Sequence, residues 1–311
     1  MKFAIVGAGG VGGYLGARLA QAGHDLAWLV RGRTLEALSE RGLLLESPSG
    51  EVRLGPQRAS GDATALASAF GPADALIVTV KLYDLAALAP RLAPLAGRGT
   101  SVLPLLNGVE AHAILSGALP SAEVLKGTLS IKSFVRAPGE VVCKSDFCKV
   151  RVGGATGPEI DALVAALNGC KAVTALFSPD IDLDLWSKFV MLAGFSAVSC
   201  MARATIGEVL GDAPARKLLV EAAAEAAAVG RALGVALPQD VAGLVDLHTR
   251  DMPKAGRPSM LEDLEAGRPL ELEFLSGAVV RLGAKAGVPT PIHAVAYQVL
   301  AMHRNGAPAR G

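Results

Sequence analysis

The chain opens on a short apolar run, Phe3–Val6. It passes directly into Gly7-Ala8-Gly9-Gly10-Val11-Gly12 and then into the helical pattern of Gly10–Ala22. No other feature restricts the fold as strongly. A GxGxxG string alone is weak, but between a strand and a helix each glycine acquires a task. Gly7 permits a tight turn, and Gly9 leaves no Cβ between the backbone and an approaching pyrophosphate. Gly12 lets the helix pack close to the strand. The start of that helix presents free N–H groups and a partial positive charge. Gly7, Ala8, Gly9, Gly10, Val11 and Gly12 therefore form a candidate cradle for dinucleotide phosphates.

The next hundred residues keep the same rhythm. Leu26–Val30 is strand-like, Thr34–Arg41 helical, and Ala75–Val80 and Ser101–Leu106 are strong apolar runs. Alternation of this kind predicts an α/β domain with a parallel, doubly wound sheet of Rossmann type. Thr128–Val135, Glu140–Cys143 and Lys149–Val152 read as further strands that close this sheet, partly antiparallel, with Pro138-Gly139 as a turn and Pro158–Leu167 as a helix. Beyond Ser178-Pro179-Asp180 the pattern turns helical. Asp182–Met201, Ala213–Leu233, Gln239–Arg250, Ser259–Ala266, Glu271–Ala286 and Pro291–His303 are the expected helices. Residues 1–179 thus read as a nucleotide-binding domain and 180–311 as an all-helical domain, in keeping with a length of 311 residues. Asn305–Gly311 carries no pattern and is expected to fray.

Composition excludes several classes. Hydrophobic residues make up 51%, enough to build a large core, and Lys+Arg 30 against Asp+Glu 29 leaves no field for nucleic acid or an anionic membrane. Cys143, Cys148, Cys170 and Cys200 match neither a CxxC pair nor a zinc motif, and the histidines do not pair at ligand spacing, so no metal site is expected. With no leader expected before the first strand, a reduced cytoplasmic protein fits best. The apolar stretch Phe189–Ala202 is shorter than the roughly 20 residues that cross a bilayer and reads as a buried helix.

The end of the second strand bears on the cofactor. NAD sites place an acid about 20 residues after the glycines, on the ribose hydroxyls. Here the segment is Trp28-Leu29-Val30-Arg31-Gly32-Arg33, without an acid and with two guanidinium groups suited to a phosphate dianion. NADPH is therefore favoured over NADH. Lys81 and Asn107 close the next two strands, where ligands of an open sheet sit. Each also has a bland explanation, as a solvated terminus and an Asn-Gly turn. Lys188 heads the most apolar helix and shares a face with Leu192, Ser196 and Ser199. It either snorkels to water or points into a cleft. Glu271 reads equally as a first-turn helix acid, and Ser259 as an N-cap completed by Glu262.

Together the residues resemble the ketopantoate reductase (2-dehydropantoate 2-reductase) family. The resemblance spans GAGGVGGYLGARLAQAGHDLAWLVR at 7–31, VTVK at 78–81, LLNGVE at 105–110, WSK at 186–188 and SMLEDLEAGRPLELE at 259–273. It implies a Rossmann-type NADPH domain, a helical domain, and an active site in the cleft between them that reduces a 2-oxo acid to a 2-hydroxy acid. By position it implies Arg31 as the 2′-phosphate ligand, and Lys81 and Asn107 as cofactor and active-site contacts. It implies Lys188 as general acid, Glu271 as its partner, Ser259 and Asn107 as substrate contacts, and a homodimer.

Three positions depart from the family pattern. Leu192 and Ser196 stand one and two turns after the lysine, where the family has asparagines, and Ile206 replaces another. Ser196 keeps a hydroxyl there and remains a substrate-binding candidate. Exchanging amides for apolar groups alters what a pocket selects. The leading expectation is reduction of 2-dehydropantoate to pantoate. The alternatives are a paralogue acting on a more apolar 2-oxo acid or related carbonyl and, more remotely, a non-catalytic NADPH sensor.

Overall fold

Strand and helix alternate from the first residues of the computed structural model, which describes residues 1–307. The chain divides into two units. One comprises Met1–Leu106 and Glu110–Ile181; the other comprises Asn107–Val109 and the chain from Asp182 onward.

The first unit begins with β1 (Lys2–Val6), α1 (Gly10–Gln21), β2 (Asp25–Leu29) and α2 (Gly32–Glu40). A hairpin of β3 (Leu43–Glu46) and β4 (Val52–Leu54) follows, then β5 (Ala59–Ser60), α3 (Ala63–Phe70), β6 (Ala75–Val78) and α4 (Leu82–Leu88). Next come β7 (Ser101–Pro104), α5 (Ala111–Ala118), β8 (Glu123–Val124), β9 (Lys126–Ser130) and β10 (Ser133–Ala137). β11 (Glu140–Cys143), β12 (Cys148–Gly153), α6 (Pro158–Asn168) and β13 (Val173–Phe177) complete it.

The main sheet has six strands in the order β5-β2-β1-β6-β7-β8, and every pairing is parallel. Its strands are almost wholly apolar because both faces are covered. Strand order reverses on the two sides of β1, which puts the switch point, where ligands of such sheets bind, between β1 and β6. The glycine turn follows β1 and Thr79–Lys81 follows β6, so the two segments meet at that point.

The strands after residue 124 do not close this sheet, contrary to the sequence expectation. The expected run Thr128–Val135 is cut at Ile131-Lys132 into β9 and β10, which join different sheets. β9 pairs with β12, and β12 with β13, whereas β10 pairs with β11, and β11 continues onto the β3–β4 hairpin. The two halves have different partners, which local composition does not encode. Gly127 of β9 lies against Leu103 and Leu105, and the β10–β11 ribbon lies over α1. α1 is consequently held between the main sheet and the four-stranded sheet. A Cβ at Gly16 would fall 2.0 Å from the Trp28 ring, and one at Gly13 would fall 2.5 Å from Val141. The buried Arg18 of α1 donates to the Ser47 and Ser49 hydroxyls, tying the helix to the hairpin turn.

The second unit is helical: α7 (Ile181–Ala202), α8 (Ile206–Gly211), α9 (Ala213–Ala232), α10 (Val241–Thr249), α11 (Ser259–Glu265), α12 (Ser276–Ala286) and α13 (Pro291–Leu300). α9 presents Ala222, Ala223, Ala226 and Ala227 as a buried stripe. A Cβ at Gly194 would lie 3.0 Å from the Ala223 backbone, so α7 and α9 pack closely through small residues. The alanine-rich helix thus uses this face inside its own unit. α7 is also long and apolar enough to cross a membrane, but 67% of that window is buried inside the protein, as in a core helix.

Three sequence expectations shift here. Glu271–Ala286 is not one helix: a 3-10 turn, Leu272–Phe274, precedes α12, with Leu275 outside helical geometry between them. The capping box lies not at Ser259 but at Thr205 and Glu208, which open α8. Asn305 is held by a bridge to Pro269, and Ala307 N–H donates to the Gly267 carbonyl, so these residues are not frayed. Residues 308–311 of the expected frayed tail lie outside the described residues. All four cysteines are free and buried.

Candidate active site

The phosphate turn has the geometry its residues require. Gly7 sits at φ +92°, a conformation that side-chain-bearing residues resist, and a Cβ at Gly12 would lie 1.9 Å from the Gly7 carbonyl oxygen. Gly9 differs: a Cβ there would meet nothing within 4 Å. Its missing side chain serves no internal contact and instead leaves open space at the N-cap of α1. The N–H groups of the first helical turn have no intrahelical partner and bear the positive end of the dipole. The turn Gly7–Gly12 thus has the room and the free N–H groups that a dinucleotide pyrophosphate requires.

Two residues that sequence reasoning missed shape the turn. The Thr79 hydroxyl donates to the Gly7 carbonyl at 2.8 Å, locking the turn to the end of β6. Ser133 of β10 packs on the helix start, its carbonyl 2.5 Å from where a Gly10 Cβ would stand. Thr79 lies inside VTVK and was within reach as a strand-end hydroxyl. Ser133 has no local signal.

Arg31 occupies the N-cap position of α2, separated from β2 by Val30, and is exposed. Its guanidinium meets the Asp84 carboxylate at 2.9 Å. Lys81 is the N-cap residue of α4, half-buried, and its carbonyl accepts the Asp84 N–H. Asn107 is half-buried and groups with the helical unit, followed by Gly108 at φ +94°. The backbone bends at Asn107-Gly108, and no hydrogen bond among the described residues ties the Asn107 amide to this bend.

In the helical unit, Lys188 lies on α7 with Leu192, Ser196 and Ser199 on successive turns. Burial pulls the Lys188 ammonium down to about 8, and the negative charge of Glu271 opposes that fall. Lys188 stands about two turns inside α7 and is half-buried, so snorkelling from a helix end does not describe it. Glu271 is 3% exposed and stands at the N-cap of the 3-10 turn without capping it, so it is not a helix-dipole acid. The structure thus brings Lys188 and Glu271 into one electrostatic unit. Further along the lysine's face, the Ser196 and Ser199 hydroxyls are fully buried, with no hydrogen-bond partner among the described residues. A buried unpaired hydroxyl costs roughly 1–3 kcal/mol, which a ligand's polar atoms can offset.

Ser259 is exposed at the first position of α11, with Pro258 at the N-cap. Its hydroxyl caps nothing and is available. Ile206 is 1% exposed and belongs to the helical core, its N–H donating to the Gly256 carbonyl. Its apolar character is explained by packing. Leu192 is only half-buried. No cluster of metal ligands occurs among the described residues.

The model of the ketopantoate reductase PanE/ApbA family matches residues 3–154, and that of its C-terminal region matches residues 180–304. A 2-dehydropantoate 2-reductase of Mesorhizobium japonicum is 32% identical, over 100% of this chain and 99% of its own length. The chain belongs to the ketopantoate reductase family. Another relative, an uncharacterized oxidoreductase of Bacillus subtilis named YkpB, is 30% identical over 97% of this chain and 99% of its own. The crystal structure of a PanE/ApbA family ketopantoate reductase from Ralstonia eutropha superposes with a TM-score of 0.87 at 29% identity, covering 98% of both chains. Members of the ketopantoate reductase family are NAD(P)H-dependent, and this chain is an oxidoreductase acting on CH–OH groups.

Proposed function

We propose that the protein catalyses NADPH-dependent reduction of a 2-oxo acid to a 2-hydroxy acid, with 2-dehydropantoate as substrate and pantoate as product. This is the reductive step of pantothenate and coenzyme A synthesis. In this reading residues 1–179 hold the cofactor, and the helical region after 180 carries the acid–base groups. The observation that carries it is the electrostatic pairing of half-buried Lys188 with buried Glu271, the lysine lying on a helix face that also holds two unpartnered hydroxyls.

The dinucleotide supplies a hydride to the carbonyl carbon when bound. Lys188 supplies the proton to the carbonyl oxygen, so the C=O bond becomes CH–OH with one hydride and one proton added. A proton donor works best when its pKa lies near the working pH, and Lys188 at about 8 meets that condition. As an ammonium it also stabilises the charge that grows on the oxygen. Glu271 keeps the lysine protonated between turnovers and accepts from a substrate hydroxyl. Ser259, Asn107 and Ser196 contact the substrate. Arg31 and Lys81 contact the cofactor together with the glycine cradle.

A second reading, reduction of a more apolar 2-oxo acid, is favoured by one observation. Leu192 is half-buried on the lysine's own face, where the family resemblance expects an amide. The two are separated by following NADPH consumption with 2-dehydropantoate beside 2-oxo acids of graded size and polarity. Preference for 2-dehydropantoate supports the first. Turnover confined to apolar analogues supports the second.

A further inference from the structure

The segment after β2 contains no acid, yet the fold supplies one from elsewhere. α4 begins at Leu82, and its first turn carries Asp84, whose N–H is fixed by the Lys81 carbonyl. From there its carboxylate reaches Arg31, a residue 53 positions away, at 2.9 Å. The arginine side chain is 83% exposed and the aspartate 35% exposed, so the pair lies at the surface and is open to an incoming ligand. Arg33, on the first turn of α2, is exposed as well.

We propose that Asp84 is a specificity-determining residue that competes with the cofactor's 2′-phosphate for Arg31. The proposal rests on reading Arg31 as the 2′-phosphate contact. A phosphate monoester carries close to two negative charges near neutral pH. To reach the guanidinium it must displace or share the Asp84 carboxylate, and any sharing leaves two anions side by side. NADH has only a ribose hydroxyl at this point and meets no such repulsion. Asp84 therefore narrows the preference for NADPH that Arg31 creates. A carboxylate on α4 does at this end of the site the opposite of what the arginine does.

The test uses 2′,5′-ADP and 5′-AMP as probes on the full-length protein, with binding read by calorimetry in wild type, Asp84→Asn, Asp84→Glu and Arg31→Ala. Asp84→Asn is expected to tighten 2′,5′-ADP roughly 3- to 10-fold and to change 5′-AMP less than about twofold. Asp84→Glu is expected to stay near wild type. The gain should shrink as salt rises from low ionic strength toward 1 M, where screening reaches about 3 Å. A merely structural role would move the melting temperature and both probes together, and that result overturns the proposal. So does an unchanged 2′,5′-ADP affinity in Asp84→Asn when Arg31→Ala still loses that probe selectively; in that case the reading of Arg31 survives and Asp84 has no part in it. If Arg31→Ala weakens both probes equally, the reading of Arg31 fails and the proposal falls with it.

Discussion

The charge of Glu271 opposes the desolvation of Lys188. Burial pulls the ammonium's pKa down, and the carboxylate, itself 3% exposed, opposes that fall, leaving it at about 8. The lysine must be protonated to act as the acid in the reductive direction. Reductive kcat/KM is therefore expected to hold below pH 8 and to decline tenfold per unit above it. In Glu271→Gln the supporting charge is gone, so the decline should begin at lower pH. Rate profiles between pH 6 and 10 check this, and an alkaline limb that stays in place in the variant would contradict the assigned pairing.

Lys188→Ala removes the proton donor without touching the glycine cradle. A positioned acid contributes about 10²- to 10⁴-fold, and kcat is expected to fall within that range. The affinity for NADPH, read by its fluorescence, should change less than about twofold. A variant that turns over the true substrate at the wild-type rate would remove Lys188 from the mechanism.

Gly9 and Gly12 occupy one motif for different physical reasons, and alanine separates them. Gly9 has φ −73° and open space beside it, so Gly9→Ala is expected to keep the wild-type melting temperature while weakening dinucleotide binding at least tenfold. In Gly12→Ala the new Cβ would collide with the Gly7 carbonyl and the Thr79 hydroxyl. Overpacking of this kind costs roughly 1–3 kcal/mol, so this variant should lose stability as well as cofactor. Thermal melts with and without NADPH distinguish the two. Equal destabilisation by both would mean that Gly9 is structural.

Much of the site is readable from sequence because its signals are local. The glycine cradle lies between a strand and a helix, and Arg31 stands just past the end of the second strand. Lys188 immediately precedes the most apolar stretch of α7, and the polar face it shares with Ser196 and Ser199 is visible by spacing. The rest stays hidden because tertiary partners set it. Asp84 is an ordinary first-turn acid until β2 and α4 bring it to Arg31. Ser133 gains its place over Gly10 only because the expected run Thr128–Val135 breaks into strands of different sheets. The Ser259–Glu262 spacing mimics a capping box as well as Thr205–Glu208 does, and the backbone at Pro258 decides between them. Ile206 looks like a pocket substitution in the sequence, and its burial in the helical core gives it a packing role.

His293 makes the helical unit sensitive to acid. Its ring is fully buried, with Nε2 2.9 Å from the Ala222 carbonyl and Nδ1 3.2 Å from the Ser276 hydroxyl, while Glu225 accepts the N–H groups of Ile292 and His293. The ring thereby joins α9, α12 and α13. Burial pushes its pKa down to about 4. In the unfolded chain it titrates near 6.5. A depressed folded value means that the unfolded state takes up the proton first. The stability linked to this group is therefore fully present above pH 6.5 and is lost as pH falls through 6.5 toward 4, by roughly 3 kcal/mol at most. His293→Gln lacks this titration and is expected to be less stable than wild type at pH 8 through its altered contacts. The gap between the two should narrow as the pH is lowered to 4.5. Urea midpoints at pH 8, 6 and 4.5 measure that gap, and a gap independent of pH would show that His293 titrates alike in both states.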